Sequence, residues 1–209
     1  MQVYRGFEEV KSLTRPVVAI GSFDGVHLGH QRILRYLCDT ASRHQGQSVV
    51  VTFDPHPQQL LNPNSDFFLI NDLERNLKLI ADQGVDVAVV VPFTCDFSKI
   101  TYEEFIERYL IGILHASTLV MGPNHALGHN REGDRSRIEA VCQRHHVEVV
   151  DIPEFIMRDA KVHSSKIRKL IRNCQFDQVD ELLGYAYLEV QNSKFRIQSS
   201  EFKVQSSNP

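Results

Sequence analysis

The chain has 209 residues, of which 42% are apolar and 23% charged, and its net charge is −3 with histidine neutral. That length and apolar share support a sizeable core without disulfides or a structural metal. The charge balance argues against a nucleic-acid-binding domain, which usually carries a basic excess. No apolar run is long enough to span a bilayer, and the N-terminus lacks a signal-peptide core.

The four cysteines, Cys38, Cys95, Cys142 and Cys174, show no C-x-x-C pairing. They read as buried free thiols in a reducing cytoplasm rather than as a zinc or redox site. No protein partner is evident.

In chain order, Val17–Ile20 reads as a buried strand ended by Gly21, followed by a tight turn and a helix over about Gly29–Gln45. Ser48–Phe53 is a second strand stopped by Asp54-Pro55. Leu73, Leu77, Ile80 and Ala81 mark a helix ended by Gly84, and Val85–Val91 a third strand. Thr101-Tyr-Glu-Glu104 opens a further helix as a capping-box-like start, with Phe105, Ile106 and Tyr109 inward. Thr118–Met121 is a fourth strand, Arg135–His145 a helix and Val147–Ile152 a fifth strand. Short helices follow near Lys166–Arg172 and Phe176–Leu183.

Strands that alternate with helices and are apolar on both faces predict an α/β fold. The expected architecture is Rossmann-like, a doubly wound parallel sheet of about five strands. The globular domain is expected over 1–187. The polar stretch 188–209 carries a seven-residue near-repeat with too little apolar surface to order itself, and reads as a disordered tail, with a loose edge hairpin as the second reading. In such a sheet the ligand site lies beyond the carboxyl ends of the strands.

Gly21-Ser22-Phe23-Asp24-Gly25-Val26-His27-Leu28-Gly29-His30 is the most informative stretch. Gly21 and Gly25 permit a sharp turn and close approach to a ligand. Gly29 and His30 open a helix whose free amides and positive dipole end favour an anion, phosphate above all. His27 and His30, three apart, share that side of the turn, and imidazole N–H groups can hold phosphate oxygens. Packing histidines and a zinc pair are the competing readings. A Walker A loop is excluded, since no Gly-Lys-Ser/Thr follows.

This stretch resembles the H-x-G-H signature of the nucleotidyltransferase superfamily. Its longer form is similar to the adenylyltransferase module of bacterial bifunctional riboflavin kinase/FAD synthetases. Three later motifs extend the resemblance in order. Thr52-Phe53-Asp54-Pro55-His56-Pro57 is one, its prolines stiffening the loop that aims His56. Gly122-Pro-Asn124-His125-Ala-Leu127-Gly128 through Asp134 is the next. It departs from the family at His125 and Leu127, where aromatics are usual. His163-Ser164-Ser165-Lys166-Ile167-Arg168 resembles the family's Ser-Ser-Thr-x-Ile-Arg string. Ser164 or Ser165 can cap the following helix, Lys166 and Arg168 add charge, and Arg168 offers a two-pronged grip on phosphate. Leu183-Gly184-Tyr185-Ala186-Tyr187 is similar to the family's closing Leu-Gly-Arg-Pro-Tyr.

The resemblance implies transfer of AMP from ATP to FMN, giving FAD and pyrophosphate, with Mg2+ accompanying ATP. It implies catalytic roles for His27, His30, Ser164 and Arg168. ATP would be held by Gly21, Ser22, Phe23, Asp24, Gly29, His30 and Ser165, and FMN by His56, Pro57, Asn62, Asp66, Asn124 and His125. Metal ligands stay unassigned. The family's kinase module would begin after Tyr187, so kinase activity is not expected. A nucleotidyltransferase with another phosphate acceptor, or a decayed nucleotide- or flavin-binding protein, are the other readings.

Overall fold

The computed structural model of the chain describes residues 1–122, 126–152 and 162–188. The apolar runs form one parallel sheet of six strands. These are β1 (Gln2–Tyr4), β2 (Val17–Ile20), β3 (Ser48–Asp54), β4 (Val87–Pro92), β5 (Thr118–Met121) and β6 (Glu148–Asp151). Their spatial order is β1-β4-β3-β2-β5-β6, with every neighbouring pair parallel.

The expected α/β parallel sheet is present, with one strand more than the roughly five that the sequence marks. β1 pairs Gln2–Tyr4 with Val87–Val89 at the sheet edge. It has three residues, and Gln2 and Val3 are exposed, so no apolar periodicity marks it. Residues 189–209 lie outside the described residues, so the tail reading does too.

The alternation of side chains sorts the four central strands into two cores. Val18, Ile20, Val49, Val51, Val89 and Leu119 face Phe105, Ile106, Leu110 and Ile138. Val17, Ala19, Val50 and Val120 face Leu34, Leu37, Ala41 and Ile80 on the other side. Both faces are covered, which is why these strands lack a polar-apolar alternation.

The helices carrying the second face are α1 (Leu28–Arg43) and α3 (Leu73–Asp82), with α2 (Pro57–Leu61) between them in sequence. On the first face lie α4 (Tyr102–Glu104), which runs directly into a π-helical stretch over Phe105–Ile111, and α5 (Arg135–Arg144). Thr101 caps α4 as its sequence predicts, its hydroxyl oxygen accepting from the Glu104 amide at 3.1 Å. A last pair, α6 (Ser164–Arg172) and α7 (Phe176–Leu183), packs around Ile70, Ile167, Leu170 and Val179. Among the described residues no helix is long and apolar enough to cross a membrane.

The thiols divide. Cys142 is buried and Cys38 half-buried, whereas Cys95 and Cys174 are exposed. The expectation of four buried thiols therefore fails for the latter two, which sit in surface turns after β4 and α6.

Candidate active site

From β2 the chain winds through β3 and β4 to one side, and β5 and β6 add on the other side. A crevice therefore opens beyond the carboxyl ends of β2 and β5, where this topology places ligands. The turn Gly21–His27 occupies it.

Each side chain of that turn has a distinct place. Asp24 is buried, with 2% exposure, and its carboxylate accepts from the Ile70 and Asn71 amides at 3.1 and 3.2 Å. The Arg168 guanidinium donates to the same carboxylate at 2.5 Å. Ser164 Oγ donates to the Asp24 carbonyl at 3.3 Å. Two segments 140 residues apart in the chain are thus locked side by side.

His27 is the N-cap of α1, its Nδ1 accepting from the His30 amide at 3.2 Å. That bond places the proton of the neutral ring on Nε2. The two imidazoles stack with centroids 3.7 Å apart and planes 17° apart, and Phe23 meets His30 edge-on at 5.3 Å. Burial above all, then the neighbouring His163, lowers the His27 pKa to about 4; a backbone hydrogen bond opposes them, and Arg168 adds the smallest push downward. Burial followed by His27 holds His30 well below its ordinary value. Both rings are therefore neutral near pH 7, donors without full charge. His30 Nδ1 is buried with no partner in the protein.

His56 repeats the device at a second helix. It caps α2 through Nδ1, which accepts from the Gln58 amide at 3.1 Å. Burial lowers its pKa, with Asp24 opposing and Arg168 assisting. Its ring lies tilted on Phe67 at 4.6 Å, and the Arg168 guanidinium covers the same Phe67 ring at 4.2 Å.

Two clefts adjoin here. The polar one, about 520 Å³, is lined by Ser22, Phe23, Asp24, His30, His56, Ser164, Ser165, Arg168 and Arg172, with Asp66 at its rim. Cationic and hydroxyl side chains and the start of α6 suit it to an anion. The apolar one, about 490 Å³, is walled by Phe53, Phe93, Phe97, Phe105 and Leu127, with Gly21 and Pro57 at its mouth. Flat aromatic walls of this kind suit a planar ring system. Ser22, His56 and Gln58 belong to both clefts.

The structure brings some of the expected site residues to the clefts and places others away from them. His30, Ser22, Phe23, Ser165, His56, Pro57 and Asp66 line one cleft or both. Gly29 is buried in the first turn of α1 and lines neither cleft. Asn62 lines neither cleft; it ends α2 and donates to Gln58 Oε1 at 2.9 Å. Neither Ser164 nor Ser165 caps α6. His163 takes the N-cap position without a side-chain capping bond, and Ser164 turns back to Asp24. Arg168 is not an open fork, because Nε donates to the Phe68 carbonyl at 2.7 Å and Nη2 to Asp24. Asn124 and His125 lie outside the described residues.

Sequence reading missed Phe93, Phe97, Gln58 and Arg172. The first two follow the carboxyl end of β4, where the topology rule already pointed.

A family model described as FAD synthetase matches residues 9–166. The chain belongs to the FAD synthetase family. It is 31% identical over 176 residues to a FAD synthetase of Listeria monocytogenes, covering 82% of this chain and 69% of that one. It is 34% identical over 173 residues to a bifunctional riboflavin kinase/FMN adenylyltransferase of the same organism, and covers 54% of it. A bifunctional relative from Buchnera aphidicola is 27% identical over 189 residues and is covered over 61% of its length. The chain thus spans between half and two thirds of these bifunctional relatives. A solved structure described as a macrolide-efflux protein from Streptococcus pneumoniae shares the fold, with a TM-score of 0.73 at 24% identity. It covers 88% of this chain and 70% of that one. The FAD synthetase match stops at Lys166, although Arg168, two residues on, is tied directly to Asp24.

Proposed function

We propose that the chain is an FMN adenylyltransferase, transferring AMP from ATP to FMN with release of pyrophosphate. The observation that carries this reading is the shared boundary of the two clefts. A polar cleft fit for phosphates and an aromatic cleft fit for a flavin ring meet at Ser22, His56 and Gln58. A reaction joining a flavin phosphate to a nucleotide phosphate needs that adjacency.

In this reading a phosphate oxygen of FMN attacks the α-phosphorus of ATP. The bond from the α-phosphorus to the bridging oxygen breaks, and pyrophosphate leaves with that oxygen. A phosphate monoester is already a nucleophile near neutral pH, so positioning and charge stabilisation supply the rate. His30, with its ring set by His27, donates to the α-phosphate. Ser165, Arg172 and the amides opening α6 hold the departing end. Arg168 acts mainly by fixing Asp24 and Phe67, with its charge still facing the cleft. Phe93, Phe97 and Leu127 bracket the isoalloxazine, and His56 and Pro57 hold the FMN phosphate end.

Among the described residues no three His, Cys, Asp or Glu side chains gather as a metal site. In our reading a divalent ion, Mg2+, arrives on the triphosphate as part of the substrate MgATP. The test is direct. Protein incubated with MgATP and FMN should yield FAD and pyrophosphate in equal amounts, separated by chromatography. Absence of both products, or preference for a non-flavin phosphate in an acceptor panel, would refute the reading.

A further inference from the structure

The turn that carries the paired imidazoles is strained. Phe23 has φ 46°, Gly25 φ 80° and Val26 φ 35°. A β-branched residue at positive φ is an outlier, and Val26 is fully buried there. Strain of this kind persists only where the surroundings over-determine it.

Those surroundings are three side chains. Asn76 Oδ1 accepts from the Gly25 amide at 3.0 Å. The Tyr185 hydroxyl donates to the Gly25 carbonyl at 2.6 Å and accepts from Asn71 Nδ2 at 2.7 Å. Gln31 Nε2 donates to the Val26 carbonyl at 3.0 Å and to the Leu183 carbonyl at 2.9 Å. Every polar backbone group of Gly25 is thus held by a side chain, and the next carbonyl is held too. The Arg75 guanidinium lies 5.6 Å from the Tyr185 ring centroid. Burial raises the Tyr185 pKa, so its hydroxyl stays a donor at any working pH.

Val26 is followed directly by His27, whose Nδ1 accepts the amide of His30. Any relaxation of the Gly25–Val26 unit must therefore move both rings. Tyr185 also lies beyond the stretch matched by the family model, residues 9–166. It stands where the family resemblance expects arginine in Leu-Gly-Arg-Pro-Tyr, so this chain holds the turn with a neutral hydroxyl.

We infer that Tyr185 is a positioning residue for adenylyl transfer: its hydroxyl clamps the strained Gly25–Val26 turn and so sets buried His27 and, through it, His30, which lines the polar cleft. The kinetic part rests on the function proposed above. The structural part does not.

Tyr185→Phe in the full chain removes one hydroxyl and keeps the ring beneath Arg75. The expected result is a fall of about tenfold in kcat for FAD formation, with KM for ATP and for FMN held within about twofold. The imidazole nitrogen NMR resonances of His27 and His30 should shift in the same variant. A merely structural tyrosine would lower the melting temperature and leave both readouts alone at a temperature well below it. An unchanged kcat overturns the inference, and so do unchanged imidazole resonances. If the wild type forms no FAD, the proposed function falls, and the resonances alone decide whether Tyr185 sets the rings. If Tyr185→Phe does not fold, Gln31→Met frees the adjacent Val26 carbonyl from the same clamp, and the same two measurements decide.

Discussion

Acid should destabilise this protein through His27, and the size of the effect follows from its burial. The ring is 5% exposed, and its pKa falls from 6.5 to about 4 in the folded chain. As pH drops below 6.5 the unfolded chain takes up a proton that the native state refuses. The native state therefore loses stability over that window, and the loss is complete near pH 4. Above 6.5 the ring is neutral in both states and contributes no pH dependence. A shift of about 2.5 units at 1.36 kcal/mol each is about 3 kcal/mol. That is a large part of the roughly 5–15 kcal/mol that holds a domain together. His27→Asn keeps a capping acceptor for α1 and removes the titration. Urea unfolding at about pH 7 and about pH 4.5 measures both proteins. The wild type should lose about 2–3 kcal/mol more than the variant over that interval. His30 adds to the difference with the same sign, because His27 helps depress its pKa. Equal losses in the two proteins would refute burial of a neutral His27.

His30→Ala should lower kcat for FAD formation by roughly 10²–10³, the scale of one lost charge-stabilising donor, and wild-type turnover would remove it from the chemistry. Asp24→Ala strands the Arg168 guanidinium and the amides of Ile70 and Asn71 without their acceptor. Breaking a buried pair from one side costs about 3–5 kcal/mol, which calorimetry should register as a melting point lower by about 10 °C. Gly128 has φ +80°, and a Cβ there would lie 2.3 Å from the Tyr102 amide nitrogen. Gly128→Ala should therefore lift this wall of the aromatic cleft and raise KM for FMN about tenfold while sparing KM for ATP, as steady-state kinetics would show.

The sheet was legible because four of its strands are buried on both faces and so are written as unbroken valine-rich runs. β1 was not, since a three-residue edge strand with two exposed positions leaves no pattern. The glycine-bounded turn before α1 was legible for a similar reason: its composition matches one physical demand, a tight bend into an open helix end. Arg168 shows where such reading stops. A basic residue one turn into a helix behind two serines looks like a phosphate grip, and its sequence says nothing of a carboxylate 144 positions away. The same holds for Ser164, whose hydroxyl finds the Asp24 carbonyl instead of a helix end. Long-range partners decide what a polar side chain has left to offer a ligand, and those partners are set by packing. Asn62 stands away from both clefts for a local reason, because Gln58 one turn earlier accepts from its side-chain amide.

Asp24, Arg168 and Tyr185 together explain why the site needs the whole described chain. The carboxylate of Asp24 and the carbonyl of Gly25 are adjacent groups on one turn, yet their partners come from α6 and from the segment after α7. The α6–α7 pair is held to the rest of the domain through Ile70, through this turn, through Gln31 of α1 on the Leu183 carbonyl and through Arg168 on the Phe68 carbonyl. The contacts that dock that pair are thus the same ones that hold the turn. Were α6 displaced, Asp24 would lose its cation, and Phe67, on which the His56 ring rests, its covering guanidinium. The boundary residue His56 would then lose its setting at the place where the polar and aromatic clefts meet. Stability and site geometry are coupled here by the same few bonds, so under the proposed function substitutions in α6 and in the segment after α7 would change turnover even where the side chain lies away from the reacting phosphorus.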